Sequence, residues 1–210
     1  MQIVKILTAG KSAELVIDYL TKTLSLGCDF NIELYDDVKY PSNVLGFPIK
    51  GKLTQSAISK DDLVVIATGH MELRRFIFNA HKDAKFITIN RSNIREDCLG
   101  ISNLIFPDVS FDLHSSVGDN NVISAGTVIS HHCKIGVSNL FGPGCLLSGS
   151  VTIGNNCTFG SGVIFQPYVN VADNTTIPSG CVVVGNIDSH IKAHRHRGIL
   201  TGKYFIGKNR

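Results

Sequence analysis

The chain has 210 residues, with 20 Lys or Arg, 17 Asp or Glu and a formal net charge of +3. Its 18% of charged residues is below the roughly 25% of an average soluble domain, but no stretch approaches the roughly 18 consecutive apolar residues of a membrane span. The small net charge and the 8% of aromatic residues argue against a nucleic-acid-binding protein.

The charged residues are unevenly distributed. Residues 1–98 contain 25 of them, residues 99–188 contain six, and residues 189–210 contain six that are all basic. We therefore divide the chain into domains at residues 1–95 and 96–188 and a basic tail at residues 189–210. The N-terminus lacks the pattern of a signal peptide, and the six cysteines form no CxxC pair. We expect a cytoplasmic protein with reduced thiols.

The first domain alternates strand and helix patterns. Strands are predicted at residues 3–7, 31–35, 63–67 and 85–89, and helices at residues 13–24 and 72–80. This alternation predicts a small Rossmann-like βαβ domain with a parallel sheet.

Polar residues follow three of these predicted strands. Ligands of parallel sheets bind beyond the carboxyl ends of the strands, and a helix that starts after the first turn would favour a phosphate. The candidates for a nucleotide site are Ala9, Gly10, Lys11, Asp36, Asp37, Thr68 and Gly69. Because Gly10 alone remains of the dinucleotide-binding glycines, the first turn fits a nucleotide site and a plain α/β turn equally well. The two aspartates also fit a solvated loop.

The second domain has a six-residue period. Every sixth residue from 99 to 183 is large and apolar: Leu99, Ile105, Phe111, Val117, Ile123, Ile129, Ile135, Phe141, Leu147, Ile153, Phe159, Phe165, Val171, Ile177 and Val183. The residue four places later is usually small or β-branched. This period predicts a left-handed parallel β-helix of about five coils with 18 residues in each coil.

The same repeat assigns the corners and the cysteines. Segments 118–121, 154–156 and 172–174 combine Asn with Gly, Ala or Asp, and we expect corners there because Gly, Asn and Asp tolerate a left-handed backbone. Four cysteines fall on the small inward position: Cys133, Cys145, Cys157 and Cys181. A structural role is therefore expected for them rather than a nucleophile or a zinc cluster.

Several segments together resemble one family. They are Asp36-Asp37 followed by GFPIKG (46–51), VIATG (65–69), SHHCKIG (130–136), GPG (142–144) and IPSGCVVVGN (177–186). In this order they resemble the PglD/NeuD-type acetyltransferases of bacterial surface-sugar synthesis, in which a small βαβ domain precedes a left-handed β-helix.

The resemblance implies transfer of an acyl group from acetyl-CoA, or a related acyl-CoA, to the amine of a UDP- or dTDP-linked amino sugar, with no metal. It implies a homotrimer with active sites between subunits and the nucleotide in the N-terminal domain. The catalytic position falls on His131, while Leu140 and Gly149 fall at positions near the acyl group. Leu140 stands where the family has a second histidine, and His132 stands where an acid follows the catalytic one.

Three histidines carry the candidate chemistry. His131 and His132 occupy the third and fourth places of their hexad, which are outward or corner positions, and an imidazole suits a general base because its reference pKa of about 6.5 is close to the working pH. His114 precedes His132 by 18 residues, so an uninterrupted β-helix stacks the two. The stack either supports His131 by keeping it neutral or is a surface ladder without a role.

The basic tail offers Lys192 and Arg195 as candidates for the phosphates of coenzyme A, although such charge runs are usually solvated.

Three other functions remain open. They are O-acetylation of a sugar hydroxyl, a metal hydratase with His114, His131 and His132 as ligands within one chain or between subunits, and a non-catalytic nucleotide-sugar-binding scaffold.

Overall fold

The computed structural model describes residues 2–23, 30–39, 42–188, 199–201 and 204–206. The chain forms two compact units, residues 1–89 and 90–210, and passes from one to the other within the strand Ile89–Asn90. Neither helix of the described residues has the length and apolar character needed to span a bilayer.

The first unit is built on a six-stranded sheet. Its strands are β1 (Gln2–Leu7), β2 (Phe30–Tyr35), β3 (Asn43–Val44), β4 (Phe47–Gly51), β5 (Leu63–Ile66) and β6 (Lys85–Phe86), and its helices are α1 (Lys11–Thr23) and α2 (Met71–Ala80). The strand order is β3-β4-β2-β1-β5-β6. Only β3 and β4 pair in antiparallel fashion, so the predicted parallel core is confirmed.

Two details of this unit differ from the sequence prediction. The strand expected at residues 85–89 is divided into β6 and the strand Ile89–Asn90. Ile87 still donates its N–H to the carbonyl of Val64 in β5, and the chain leaves the sheet after it. The hairpin of β3 and β4 was not predicted. Its two-residue turn has positive φ at both Leu45 (50°) and Gly46 (85°), a conformation for which Asn-Gly, and not Leu-Gly, is the usual sequence signal.

The second unit is a triangular parallel β-helix with three faces. The first face contains Ser116–Val117, Lys134–Ile135, Thr152–Ile153 and Asn170–Val171. The second contains Leu104–Ile105, Val122–Ile123, Leu140–Phe141, Thr158–Phe159 and Thr176–Ile177. The third contains Ser110–Phe111, Val128–Ile129, Leu146–Leu147, Ile164–Phe165 and Val182–Val183, followed by Ile199–Thr201 and Tyr204–Ile206.

The register of these faces is the predicted 18 residues. Val122 pairs with Leu140, and Val128 pairs with Leu146. The large residues of the repeat form the interior, where all are buried except Leu99 and Phe111, which pack partly buried against the same core. The six-residue period therefore predicts both the architecture and the core.

The cysteines of the repeat also lie where the sequence places them. Cys133, Cys145, Cys157 and Cys181 are buried and free. Burial raises the pKa of Cys157 to about 11 and also raises the pKa of Cys133 and of Cys145, so these thiols stay protonated at neutral pH. Cys28 lies outside the described residues.

Every coil turns its corners with a left-handed residue. From Ser102 to Gly180, each sixth residue has a φ between 59° and 74°. Asn120, Asn156 and Asn174 are among them, as the corner prediction requires, and so are both histidines of the expected stack.

A buried asparagine ladder was not predicted. Asn103, Asn121 and Asn139 occupy the small inward position and are fully buried. The side-chain oxygen of Asn103 accepts the N–H of Asn121 at 2.7 Å, and that of Asn121 accepts the N–H of Asn139 at 2.8 Å. Each amide thus joins two coils, which offsets the cost of burying a polar side chain.

Candidate active site

His131 and His132 lie at one corner of the β-helix, between the strands Val128–Ile129 and Lys134–Ile135. We call the column of residues 113–114, 131–132, 149–150 and 167–168 the histidine corner. Both side chains are exposed. The N–H of His132 donates to the carbonyl of Leu113 one coil below at 3.0 Å, so the backbone of the corner is tied to its neighbouring coil.

Three imidazoles are grouped at this corner. The Nδ1 atoms of His131 and His132 lie 3.0 Å apart, and their rings are nearly perpendicular, at 83°. The rings of His114 and His132 pack with centroids 4.9 Å apart and an angle of 36°. The stack predicted from the 18-residue spacing is therefore present, whereas the direct contact between the adjacent histidines could not be predicted from the repeat.

The ring of His131 packs against the backbone of Gly149 in the coil above. A Cβ atom at residue 149 would lie 2.5 Å from Cε1 and 2.7 Å from Nε2 of His131, so only glycine leaves room for the imidazole. Among the described residues, neither Nε2 of His131 nor the N–H of Gly149 has a hydrogen-bond partner. A base and a donor are thus available side by side, which is the combination that acyl transfer requires.

Leu140 lies elsewhere. It is half-buried in the strand Leu140–Phe141 of the second face, and this face does not border the histidine corner. Within one chain, Leu140 therefore does not join His131 and Gly149. Lys192 and Arg195 lie outside the described residues.

A cavity of about 350 Å³ opens in the first coil of the second unit. Its lining is Ser92, Asn93, Ile94, Arg95, Cys98, Val109, Phe111, Asp112, Leu113 and His114. Buried Ile94 and Val109 supply apolar surface, while Asp112 and His114 supply polar groups. This combination suits a small ligand with a carbon skeleton and polar substituents. The sequence repeat did not reveal the cavity because the segment 92–98 lies outside it.

The candidates for the nucleotide site gather at the carboxyl ends of β1, β2 and β5. Here Asp36 organises the backbone: its Oδ2 accepts the N–H of Ala9 at 2.7 Å, and its Oδ1 accepts the N–H groups of Val38 at 2.9 Å and Lys39 at 2.7 Å. Asp37 accepts the N–H of Leu53 at 2.9 Å. Both carboxylates therefore hold loops in place.

Thr8, at the start of the first turn, is an additional candidate. It has a φ of 78°, is 5% exposed, and its hydroxyl has no partner among the described residues. Gly10 and the exposed Lys11 follow it at the start of α1. A buried, unpaired hydroxyl beside the positive end of a helix fits an anionic oxygen.

The end of β5 completes this edge of the sheet. Thr68 accepts the N–H of His70 at 3.1 Å, and Gly69 between them is exposed. Buried Arg74 donates to the carbonyls of Ile66 and Thr68. Burial lowers the pKa of Arg74 to about 9, so its guanidinium stays charged at neutral pH. It places a positive charge next to the carbonyls of Ile66 and Thr68.

The residues do not assemble a metal site within the described chain. No group of three or more His, Cys, Asp or Glu side chains in the described ranges could hold a metal ion. The hypothesis of a metal hydratase with His114, His131 and His132 as ligands therefore requires ligands from more than one subunit.

Comparison with known proteins identifies the fold. No family model and no curated protein matches the chain. The acetyltransferase domain of PglB from Neisseria gonorrhoeae, in complex with acetyl coenzyme A, is 22% identical with a TM-score of 0.72, over 97% of this chain and 98% of that one. PerB from Caulobacter crescentus, in complex with CoA and GDP-perosamine, is 23% identical with a TM-score of 0.73, over 100% of this chain and 98% of that one. At these identities, the likeness confirms the predicted α/β unit followed by a β-helix.

Proposed function

We propose that the protein transfers an acyl group from acetyl-CoA, or a related acyl-CoA, to the amine of a nucleotide-linked amino sugar, with His131 as general base. The observation that carries the proposal is the unpaired Nε2 of His131 packed against Gly149, whose N–H is also unpaired within the described residues. The fold adds support, because structures that share it contain acetyl coenzyme A, or CoA together with GDP-perosamine.

In this reaction the amine attacks the thioester carbon, a C–N bond forms, and the C–S bond breaks. Nε2 of His131 takes the proton that the amine loses. The N–H of Gly149 donates to the carbonyl oxygen as that oxygen gains negative charge, so the donor is worth most in the transition state. The thiolate of coenzyme A leaves and is protonated.

The nucleotide of the acceptor belongs at the edge of the first sheet, beside the Thr8 hydroxyl and the turns at residues 9–11 and 68–69, in which the N–H of Ala9 is already bound to Asp36. Asp36 holds the first of these turns through Ala9, and Asp37 holds the segment at Leu53. The sequence resemblance favours a UDP- or dTDP-sugar, while PerB was solved with GDP-perosamine.

The acyl-CoA belongs beside Gly149, with Leu140 against the acyl group and Lys192 and Arg195 near the phosphates. Because Leu140 lies on a face that does not border the histidine corner, it reaches a His131 only from a second copy of the chain. This separation supports a homotrimer with active sites between subunits.

The test is thiol release from acetyl-CoA in the presence of UDP-, dTDP- and GDP-linked amino sugars and of matched neutral sugars. We expect turnover with at least one amino sugar. His131→Asn should lower kcat by about 100-fold or more, while His81→Asn, a histidine of the first unit, should keep it.

Three outcomes would contradict this assignment. Turnover only with neutral sugars would indicate O-acetylation. Binding of a nucleotide sugar without any turnover would indicate a scaffold. Full activity of His131→Asn would remove His131 as the base.

A further inference from the structure

The hydrogen bond between His131 and His132 has a direction that determines the chemistry of His131. The two Nδ1 atoms are 3.0 Å apart, so one ring must donate an Nδ1–H and the other must accept it. If His131 accepts, its own proton sits on Nε2 and the ring has no free nitrogen for the acceptor amine. If His131 donates, its Nε2 keeps a lone pair next to Gly149.

We propose that His132 is a positioning residue whose Nδ1 accepts the Nδ1–H of His131 and so holds His131 in the tautomer of a general base. This inference rests on the proposed function and goes beyond it, because a neutral imidazole here takes the place of the acid that the resemblance leads one to expect. His132 then carries its own proton on Nε2.

The fold holds His132 in this orientation. Its backbone has a φ of 60° and its N–H is bound to Leu113 in the coil below. The ring of His114, from that same coil, packs on the ring of His132 with centroids 4.9 Å apart. The coil below therefore contacts both the backbone and the ring of His132.

The hydrogen bond between His131 and His132 also changes during the reaction. When Nε2 of His131 takes the proton of the attacking amine, the ring becomes an imidazolium and its Nδ1–H bond to His132 becomes charge-assisted. Nε2 then returns the proton as the thiolate leaves, so His131 is neutral again and the neutral tautomer of His132 is unchanged.

Two substitutions of His132 distinguish the effect of its hydrogen bond from the effect of its backbone conformation. His132→Gly removes the acceptor but suits the positive φ, and we expect kcat to fall at least about tenfold while KM for both substrates stays within about twofold. His132→Asn also tolerates this backbone and supplies an accepting Oδ1, so it should recover most of kcat. His81→Asn is the control and should match the wild type.

A spectroscopic measurement on the resting protein tests the same bond without turnover. Nitrogen-15 shifts of the imidazole rings should show His131 protonated at Nδ1 in the wild type and in His132→Asn, and a mixture of tautomers in His132→Gly. Unchanged kcat and unchanged tautomer in His132→Gly would overturn the inference. A wild type that acylates no amino sugar would overturn the proposed function instead, and the shifts would still report on the pair.

Discussion

At the scale of single residues, the candidate site depends on the absence of a side chain at Gly149 as much as on the imidazole of His131. The imidazole fills the space in which a Cβ of residue 149 would lie, 2.5 Å from its Cε1. The backbone of Gly149 is not in the left-handed region, so glycine is required here by the close approach of His131 and not by the conformation of the chain.

Gly149→Ala therefore tests whether catalysis depends on the position of the His131 ring. The added methyl group should displace the exposed ring of His131 and lower kcat about 100-fold, the effect expected for a misplacement of about 1 Å. The free energy of unfolding should change by less than about 0.5 kcal/mol, because the ring can move into solvent. Steady-state kinetics and urea unfolding measure both quantities. Ser161→Ala, at the equivalent position of another corner, is the control, and an unchanged kcat in Gly149→Ala would contradict the role of His131.

At the scale of elements, the parallel sheet of the first unit contains a buried charge in its central strand. Lys5 of β1 is 6% exposed and lies 2.9 Å from Asp62. Its ammonium also donates to the carbonyls of Ser56 and Ala57 at 2.7 Å each. The pair thus joins β1 to the segment that leads into β5, and the ammonium of Lys5 has three oxygen partners.

The pKa of Asp62 determines how this pair responds to acid. Desolvation alone would raise the pKa, but the hydrogen bonds from Lys5 and Ser59 outweigh it, so the pKa lies below its usual value. A carboxyl whose pKa is lower in the folded state contributes stability above its unfolded pKa, and that stability is lost as the pH falls through the folded pKa.

Asp62→Asn should therefore destabilise the first unit by roughly 3 kcal/mol at pH 7, because it leaves Lys5 buried without a counter-charge. The difference from the wild type should shrink below about pH 4, where the unfolded carboxyl becomes protonated. Urea unfolding at pH 7 and pH 3 measures this. Asp18→Asn, which breaks the partly exposed pair with Lys22, should cost less than about 0.5 kcal/mol. Equal effects of the two substitutions would contradict the argument.

At the scale of the whole molecule, the proposed acyl-CoA site is divided between separate parts of the prism. His131 and Gly149 share the histidine corner, while Leu140 lies on the second face. In a triangular prism, a corner and the face opposite to it are separated by the core, so no choice of side-chain rotamer brings them together. A site that uses both requires another copy of the chain.

Complementation tests this arrangement. His131→Asn and Leu140→Arg should each be inactive alone, whereas co-expressed chains should assemble mixed oligomers in which about a quarter of the sites combine an intact His131 with an intact Leu140 from its neighbour. Recovery of activity in the purified mixed oligomer is the expected result. Two differently tagged His131→Asn chains serve as the control. A mixture as inactive as its components would contradict a site shared between copies of the chain.

The sequence by itself determined the β-helix, its core and its corners. A six-residue period in a charge-poor stretch leaves one architecture that buries every large residue, and the same period places His114 above or below His132. The parallel sheet of the first unit followed from alternating patterns, although the Leu45-Gly46 hairpin lacked the usual signal.

Only the tertiary structure decided how individual polar groups meet. The Nδ1 contact of His131 with His132, the packing of His131 on Gly149 and the bond from Ala9 to Asp36 depend on side-chain rotamers and on loops whose ends are far apart in sequence. A repeat specifies which positions face inward and which coils are neighbours, because backbone geometry repeats. It does not specify where an exposed ring or a carboxylate points, since that orientation is set by contacts that do not repeat.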